Sequence, residues 1–167
     1  MDSRCATHGL SPDRTRLVNG EQNPFPDDHF DAATQLGVLH HVPRPERLVA
    51  EMIRVSPELV CLSDSNCFGQ GRFWMTVIKL TAWQCGCWPL LDLLRTRSKG
   101  YTVSEEDGLA YSYLVYDSFH QLKRCADQAY LIPTTGMTAS SCFYPLPATS
   151  HVLLIAQRSP RYEMTVS

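Results

Sequence analysis

Four groups of residues in this 167-residue sequence have types and spacings suited to chemistry. His40-His41 form a pair ahead of Pro43. Adjacent imidazoles serve either as a proton acceptor or as a satisfied polar pair at a helix start. Asp64 and Asn66 close an apolar run, at the C-terminal end of a strand. Open α/β sheets bind ligands at that end, and ordinary turns use the same residues. Cys85-Gly86-Cys87 is the only close cysteine pair, and no second Cys or His pair stands at zinc-finger spacing. Two small apolar residues beside Trp83 and Trp88 are the plainer reading. Trp74, Tyr101, Tyr111 and Tyr113 either line an aromatic pocket or pack in the core.

These groups need a scaffold, and the sequence supplies one. Residues 30–36, Phe-Asp-Ala-Ala-Thr-Gln-Leu, read as a buried strand closed by Gly37. A helix follows over 45–55: Pro45 suits its first turn, Leu48, Met52 and Val55 fall at i, i+4 and i+7, and Pro57 ends it. Residues 58–62 are then a continuous apolar run of strand length. Strand, helix, strand implies a parallel pair with a right-handed crossover.

The flanks are weaker. Residues 1–8 read as a helix end capped by Gly9, and 16–18 as a short strand stopped by Asn19-Gly20. Two prolines exclude regular structure from 23–28. A long helical region opens at Gly69-Gln70-Gly71 and runs to about residue 94. The segment 95–108 is polar, with turns at Lys99-Gly100 and Asp107-Gly108, and 116–127 is helical. Residues 141–144 and 150–157 read as two strands of a C-terminal antiparallel hairpin.

Composition excludes several functions. Fifteen Lys and Arg against 17 Asp and Glu give a net charge of -2, with no basic excess to neutralise a phosphate backbone, so no nucleic-acid partner is expected. At 44% apolar and 19% charged residues the chain is neither disordered nor fibrous. Seven scattered cysteines, an odd number, suit reduced and buried thiols in a cytoplasmic protein, and no metal is expected. The N-terminus has no apolar signal segment. The most apolar stretch, 73–94, contains Lys79, Gln84, Gly86, Pro89 and Asp92, which argues against a membrane span.

One block joins these pieces. Asn19-Gly20-Glu21-Gln22-Asn23-Pro24-Phe25-Pro26-Asp27-Asp28-His29-Phe30-Asp31, followed by Gly37-Val38-Leu39-His40-His41-Val42 and Glu51-Met52-Ile53-Arg54-Val55, resembles the class I S-adenosylmethionine-dependent methyltransferases of the small-molecule type. The resemblance covers residues 17–66 most strongly. It implies a Rossmann-like α/β fold and methyl transfer from S-adenosylmethionine to a small-molecule acceptor. It places Asn19 at the family's adenine-binding acidic position, a departure from the family pattern, and Gly20 where the base approaches closely. Gln35 and Leu36 fall beside the methionine portion of the cofactor. His40 or His41 faces the reacting centre, where it would take a proton from a hydroxyl nucleophile.

The family's Gly-rich turn after its first strand, and the acid that follows the second, have no counterpart among the nine glycines and their neighbours. The expectation is therefore an N-terminally truncated methyltransferase domain over residues 1–160 with a tail over 161–167. Cofactor binding would then be compromised. The family's sheet order is 3-2-1-4-5-7-6, so its fourth strand becomes an edge, and residues 16–18 either pair with residues 32–36 or stay loose. An exposed edge invites self-association. A second reading stays open: a non-catalytic remnant or interaction module that binds no cofactor.

Overall fold

In the computed structural model the described residues are 16–66, 73–96, 99–104, 108–111, 113, 115–135 and 149–159. The sheet is built outward from two parallel strands. β1 (Ala32–Leu36) runs beside β2 (Leu59–Ser65), with Ala33 opposite Val60 and Leu36 opposite Ser63. Between them in sequence lies α1 (Pro45–Val55), with Pro45 preorganising the first turn, and with Glu46 near the N-terminus and Arg54 near the C-terminus favourable to the helix dipole. The helix bounds read from proline and periodicity are those observed. Its buried stripe is Val49, Met52 and Val55, with Leu48 partly covered.

β2 pairs antiparallel with β6 (His151–Gln157), which pairs antiparallel with β5 (Gln128–Pro133), so the sheet order is β1-β2-β6-β5. This mixed order corresponds to the 4-5-7-6 portion of the expected sheet. Alternation decides the faces. Val60, Leu62 and Asp64 of β2 point inward with Val152, Leu154 and Ala156 of β6, and Leu131 of β5 joins them. α4 (Val115–Cys125) closes the same face with Val115 and Leu122, beside the buried Tyr113. On the opposite face Cys61, Leu153 and Ile155 are half-buried, and Tyr130 and Ile132 are exposed.

Several expectations change. Residues 16–18 form no strand and do not pair with residues 32–36; Leu17 is 82% exposed. Among the described residues β1 has no strand on its outer side. The helical region near 69–94 is two helices, α2 (Phe73–Gln84) and α3 (Trp88–Arg95), separated by Gly86 at φ 69°, a left-handed turn that glycine accepts readily. The polar segment after residue 95 contains an antiparallel ribbon, β3 (Tyr101–Ser104) with β4 (Gly108–Tyr111). The C-terminal antiparallel pairing exists, but the partner of β6 is β5. The readings at 1–8, 69–71 and 141–144 lie outside the described residues.

The described cysteines are free thiols. Cys85 and Cys87 are exposed and Cys61 and Cys125 half-buried, which corrects the expectation of buried thiols. Cys85 and Cys87 occupy the turn between two helices, where small residues are accommodated without burial. Burial pushes the Cys61 thiol above its ordinary value.

Leu154 lies in the centre of the core and is fully buried. Leu154→Ala should lower unfolding stability by about 2–5 kcal/mol, measured by urea denaturation. A change under about 1 kcal/mol would show that the β6 centre is not tightly packed.

Candidate functional site

The site grows from the C-terminal ends of β1 and β2. β1 ends at Leu36, and Gly37 at φ 62° turns the chain while its N–H donates to the Ser63 carbonyl at 2.7 Å. A single 3-10 turn, Leu39–His41, follows. Asp64, continuing the inward face of β2 and only 2% exposed, reaches under that turn. Its Oδ2 accepts the Leu39 N–H at 2.8 Å, its Oδ1 accepts the Ser65 N–H at 2.6 Å, and Oδ1 also lies 2.5 Å from His40 Nδ1. A carboxylate in this arrangement accepts, so Nδ1 of His40 carries a proton, and in the neutral ring Nε2 is left as the acceptor. The His40 side chain is 18% exposed.

His41 is held separately. Its Nδ1 lies 2.8 Å from the Leu109 carbonyl of β4, and its ring centroid is 3.9 Å from that of His40. The β3–β4 ribbon therefore reaches back to the ligand end of the sheet. Of the two histidines, His40 is the one oriented by a carboxylate.

Gln35 is 7% exposed, and its side chain faces the backbone N–H groups of the turn. With its oxygen turned toward them, it accepts from Gly37 at 3.1 Å and Leu39 at 3.3 Å, and from Val38. Gln35 thus fastens the turn that carries His40. It also lines a cavity of about 350 Å³ walled by Val18, Phe25, Phe30, Leu48 and Met52, with Gly20 at its rim. A Cβ at Gly20 would meet Leu48 Cδ1 at 3.0 Å, so the leucine side chain would have to give by a few tenths of an ångström. Asn19 and Leu36 are not among the cavity's lining residues. Asn19 Oδ1 accepts the Glu21 N–H at 3.1 Å within a tight turn, and Leu36 is 71% exposed.

Of the sequence-predicted residues, the structure gathers His40 with His41, and Gly20 with Gln35. The aromatic residues do not form one pocket. Tyr113 is in the core, its hydroxyl donating to Ser118 Oγ at 2.7 Å and held above its ordinary value by burial. Tyr101 and Tyr111 meet edge-on across the ribbon, and Trp74 is 74% exposed.

The Pro-Phe-Pro-Asp turn is held by Arg54, a role the sequence reading missed. Arg54 donates to Asp27 Oδ1 at 2.6 Å, to the Phe25 and Asn23 carbonyls at 2.9 and 3.1 Å, and to both Glu51 oxygens. Glu51 Oε2 accepts the Asn23 N–H at 2.9 Å. The turn packs Phe25, His29 and Phe30 as an aromatic cluster over the cavity. A signal was available: Glu51 and Arg54 are i, i+3 neighbours on α1, beside a segment whose prolines leave carbonyls unpaired.

A nucleoside cofactor asks for an acceptor at adenine and a carboxylate at the ribose hydroxyls. The cavity's apolar walls, with Asn23, Thr34 and Gln35, suit a flat base and an aliphatic chain. No carboxylate lines it, so the described residues fit part of S-adenosylmethionine and not its ribose.

Residues 3–58 match a family model described as a methyltransferase domain. No curated protein matches. An S-adenosylmethionine-dependent methyltransferase from Mesorhizobium loti has a TM-score of 0.51 at 14% identity, covering 84% of this chain and 67% of that one. The YcgJ protein of Bacillus subtilis gives 0.51 at 15%, covering 94% and 76%. An S-adenosylmethionine-dependent methyltransferase from Methanosarcina mazei gives 0.49 at 21%, covering 86% of this chain. The chain spans 66% of that protein's length, just under two thirds. At these identities the likeness to solved structures is one of fold.

The Arg54 hydrogen bonds, and then the Asn23 N–H, hold the Glu51 carboxyl below the ordinary carboxylate range. A depressed folded value contributes stability that is present above the unfolded value of about 4.3 and lost as pH falls through the folded one. Urea melts across acid pH should therefore show Arg54→Ala losing less stability than wild type below about pH 4. Identical pH slopes in the two proteins would contradict the clamp.

Proposed function

We propose that this chain, which carries a methyltransferase-domain segment on the fold of the class I S-adenosylmethionine-dependent methyltransferases, serves methyl transfer to a small-molecule acceptor, with His40 as general base. The observation that carries the reading is the Asp64–His40 pair, set at the C-terminal end of two parallel strands. Ligands of open α/β sheets bind at that end.

When bound, the cofactor supplies an electrophilic methyl group. The residues of this chain do the rest. Asp64 fixes the imidazole so that Nε2 can take the proton released by a hydroxyl or amine as it is methylated. Gln35 holds the turn in place. Catalysis by such a site is mainly positioning.

A second reading is favoured by one observation: among the described residues no carboxylate lines the cavity. In that reading the chain is a non-catalytic methyltransferase relative that serves as an interaction module.

Calorimetric titration with S-adenosylhomocysteine separates the two. The methyltransferase reading predicts saturable binding, and flat heats at millimolar ligand would leave the non-catalytic reading. Given binding, His40→Ala should lower methyl transfer about 10²–10⁴-fold with ligand affinity retained. An unchanged rate would remove His40 from the reaction.

A further inference from the structure

The helical hairpin α2–α3 has its polarity reversed. In water a surface helix turns its apolar stripe inward. On α2 the polar Thr76 is 3% exposed, whereas Trp74, Met75, Val77 and Ile78 are 74%, 48%, 38% and 49% exposed. At 100° per residue those four side chains cover an arc of about 160°. On α3, Leu90, Leu93 and Leu94 fall at i, i+3 and i+4, a core-type stripe, yet they are 60%, 49% and 70% exposed. Val103 on the following β3 strand adds another exposed apolar side chain.

Charge and aromatic content say what covers this surface. Residues 73–95 contain three charged side chains, Lys79, Asp92 and Arg95, so the hairpin is locally +1 in a chain of net charge -2. They also contain Trp74, Trp83 and Trp88, which are all three tryptophans of the protein. Tryptophan concentrates at the headgroup level of bilayers, where its ring is apolar and its N–H is wet. Neither helix is long and apolar enough to cross a membrane. Contact with a bilayer would therefore lie in the interface plane, through the exposed apolar side chains and tryptophan rather than through a basic polar face.

We propose that the α2–α3 hairpin docks the protein on the surface of a neutral phospholipid bilayer, inserting Trp74, Met75, Ile78, Leu90 and Leu94 among the headgroups. Insertion is driven by apolar burial, because the low charge leaves little for anionic lipid to attract. In chain order the hairpin lies between β2, whose end carries Asp64, and the ribbon that reaches His41. The proposal stands whether or not the chain transfers a methyl group.

The three tryptophans make the hairpin its own reporter. Vesicles of phosphatidylcholine are added to the full chain, and tryptophan emission is recorded beside flotation of the vesicles. The expected result is a blue shift and co-flotation, both insensitive to added salt. Leu90→Ser combined with Leu94→Ser removes exposed side chains and leaves the core intact; it should weaken partitioning by about tenfold per leucine. A folded chain that neither floats nor shifts would overturn the proposal. So would binding confined to anionic vesicles and abolished by salt. A blue shift that grows with protein concentration without vesicles, together with a larger species on size exclusion, would also overturn it by assigning the surface to a second copy.

Discussion

A single buried carboxylate organises the ligand end of this fold. Asp64 occupies an inward position of β2, directly after Val60 and Leu62, where an apolar side chain would ordinarily sit. An unpaired carboxylate there would cost several kcal/mol in lost hydration. It is instead met by two backbone N–H groups, from Leu39 and Ser65, and by the His40 ring. The parallel register of β1 and β2 makes this meeting unavoidable, because Leu36 lies opposite Ser63 and the turn after Gly37 must pass over the next residue. Strand pairing, turn geometry and imidazole orientation are thus one construction.

A second polar cluster works at the other end of α1. Arg54 satisfies carbonyls that two prolines leave without strand partners, and it does so with Glu51 and Asp27 as counter-charges. The aromatic roof of the cavity is held through that guanidinium, and backbone hydrogen bonds from Asp28 to Arg54 and from Phe30 to Val55 tie the turn to the helix end. One helix therefore carries the cavity wall on its buried stripe, through Leu48, Met52 and Val55, and the clamp for its roof on the neighbouring face.

Local signals made the first half of this legible. Proline positions and a strict apolar period delimited α1, and glycine after an apolar run marked the end of β1. β5 was missed because its run Ala129 to Ile132 is apolar on both faces, with Tyr130 and Ile132 exposed, so the sequence carries no alternation of polar and apolar residues, and no breaker separates it from α4. The β3–β4 ribbon was hidden by its brevity, since strands of four residues are too short to establish a period-2 pattern. Asp64 and His40 were each legible as polar residues at structural boundaries. Their pairing was not, because it spans 24 residues and depends on strand register. The exposed apolar hairpin misleads in the opposite way: a core-type stripe predicts burial, and the fold leaves it outside.

Asp64 fixes His40 with Nδ1 protonated, which in the neutral ring leaves Nε2 free to accept. Nitrogen-15 NMR of the histidine side chains tests it directly, by reading which ring nitrogen of neutral His40 carries the proton. The account predicts the Nδ1–H tautomer in the native chain and a return toward the Nε2–H form in Asp64→Asn. A native His40 already in the Nε2–H tautomer would contradict it.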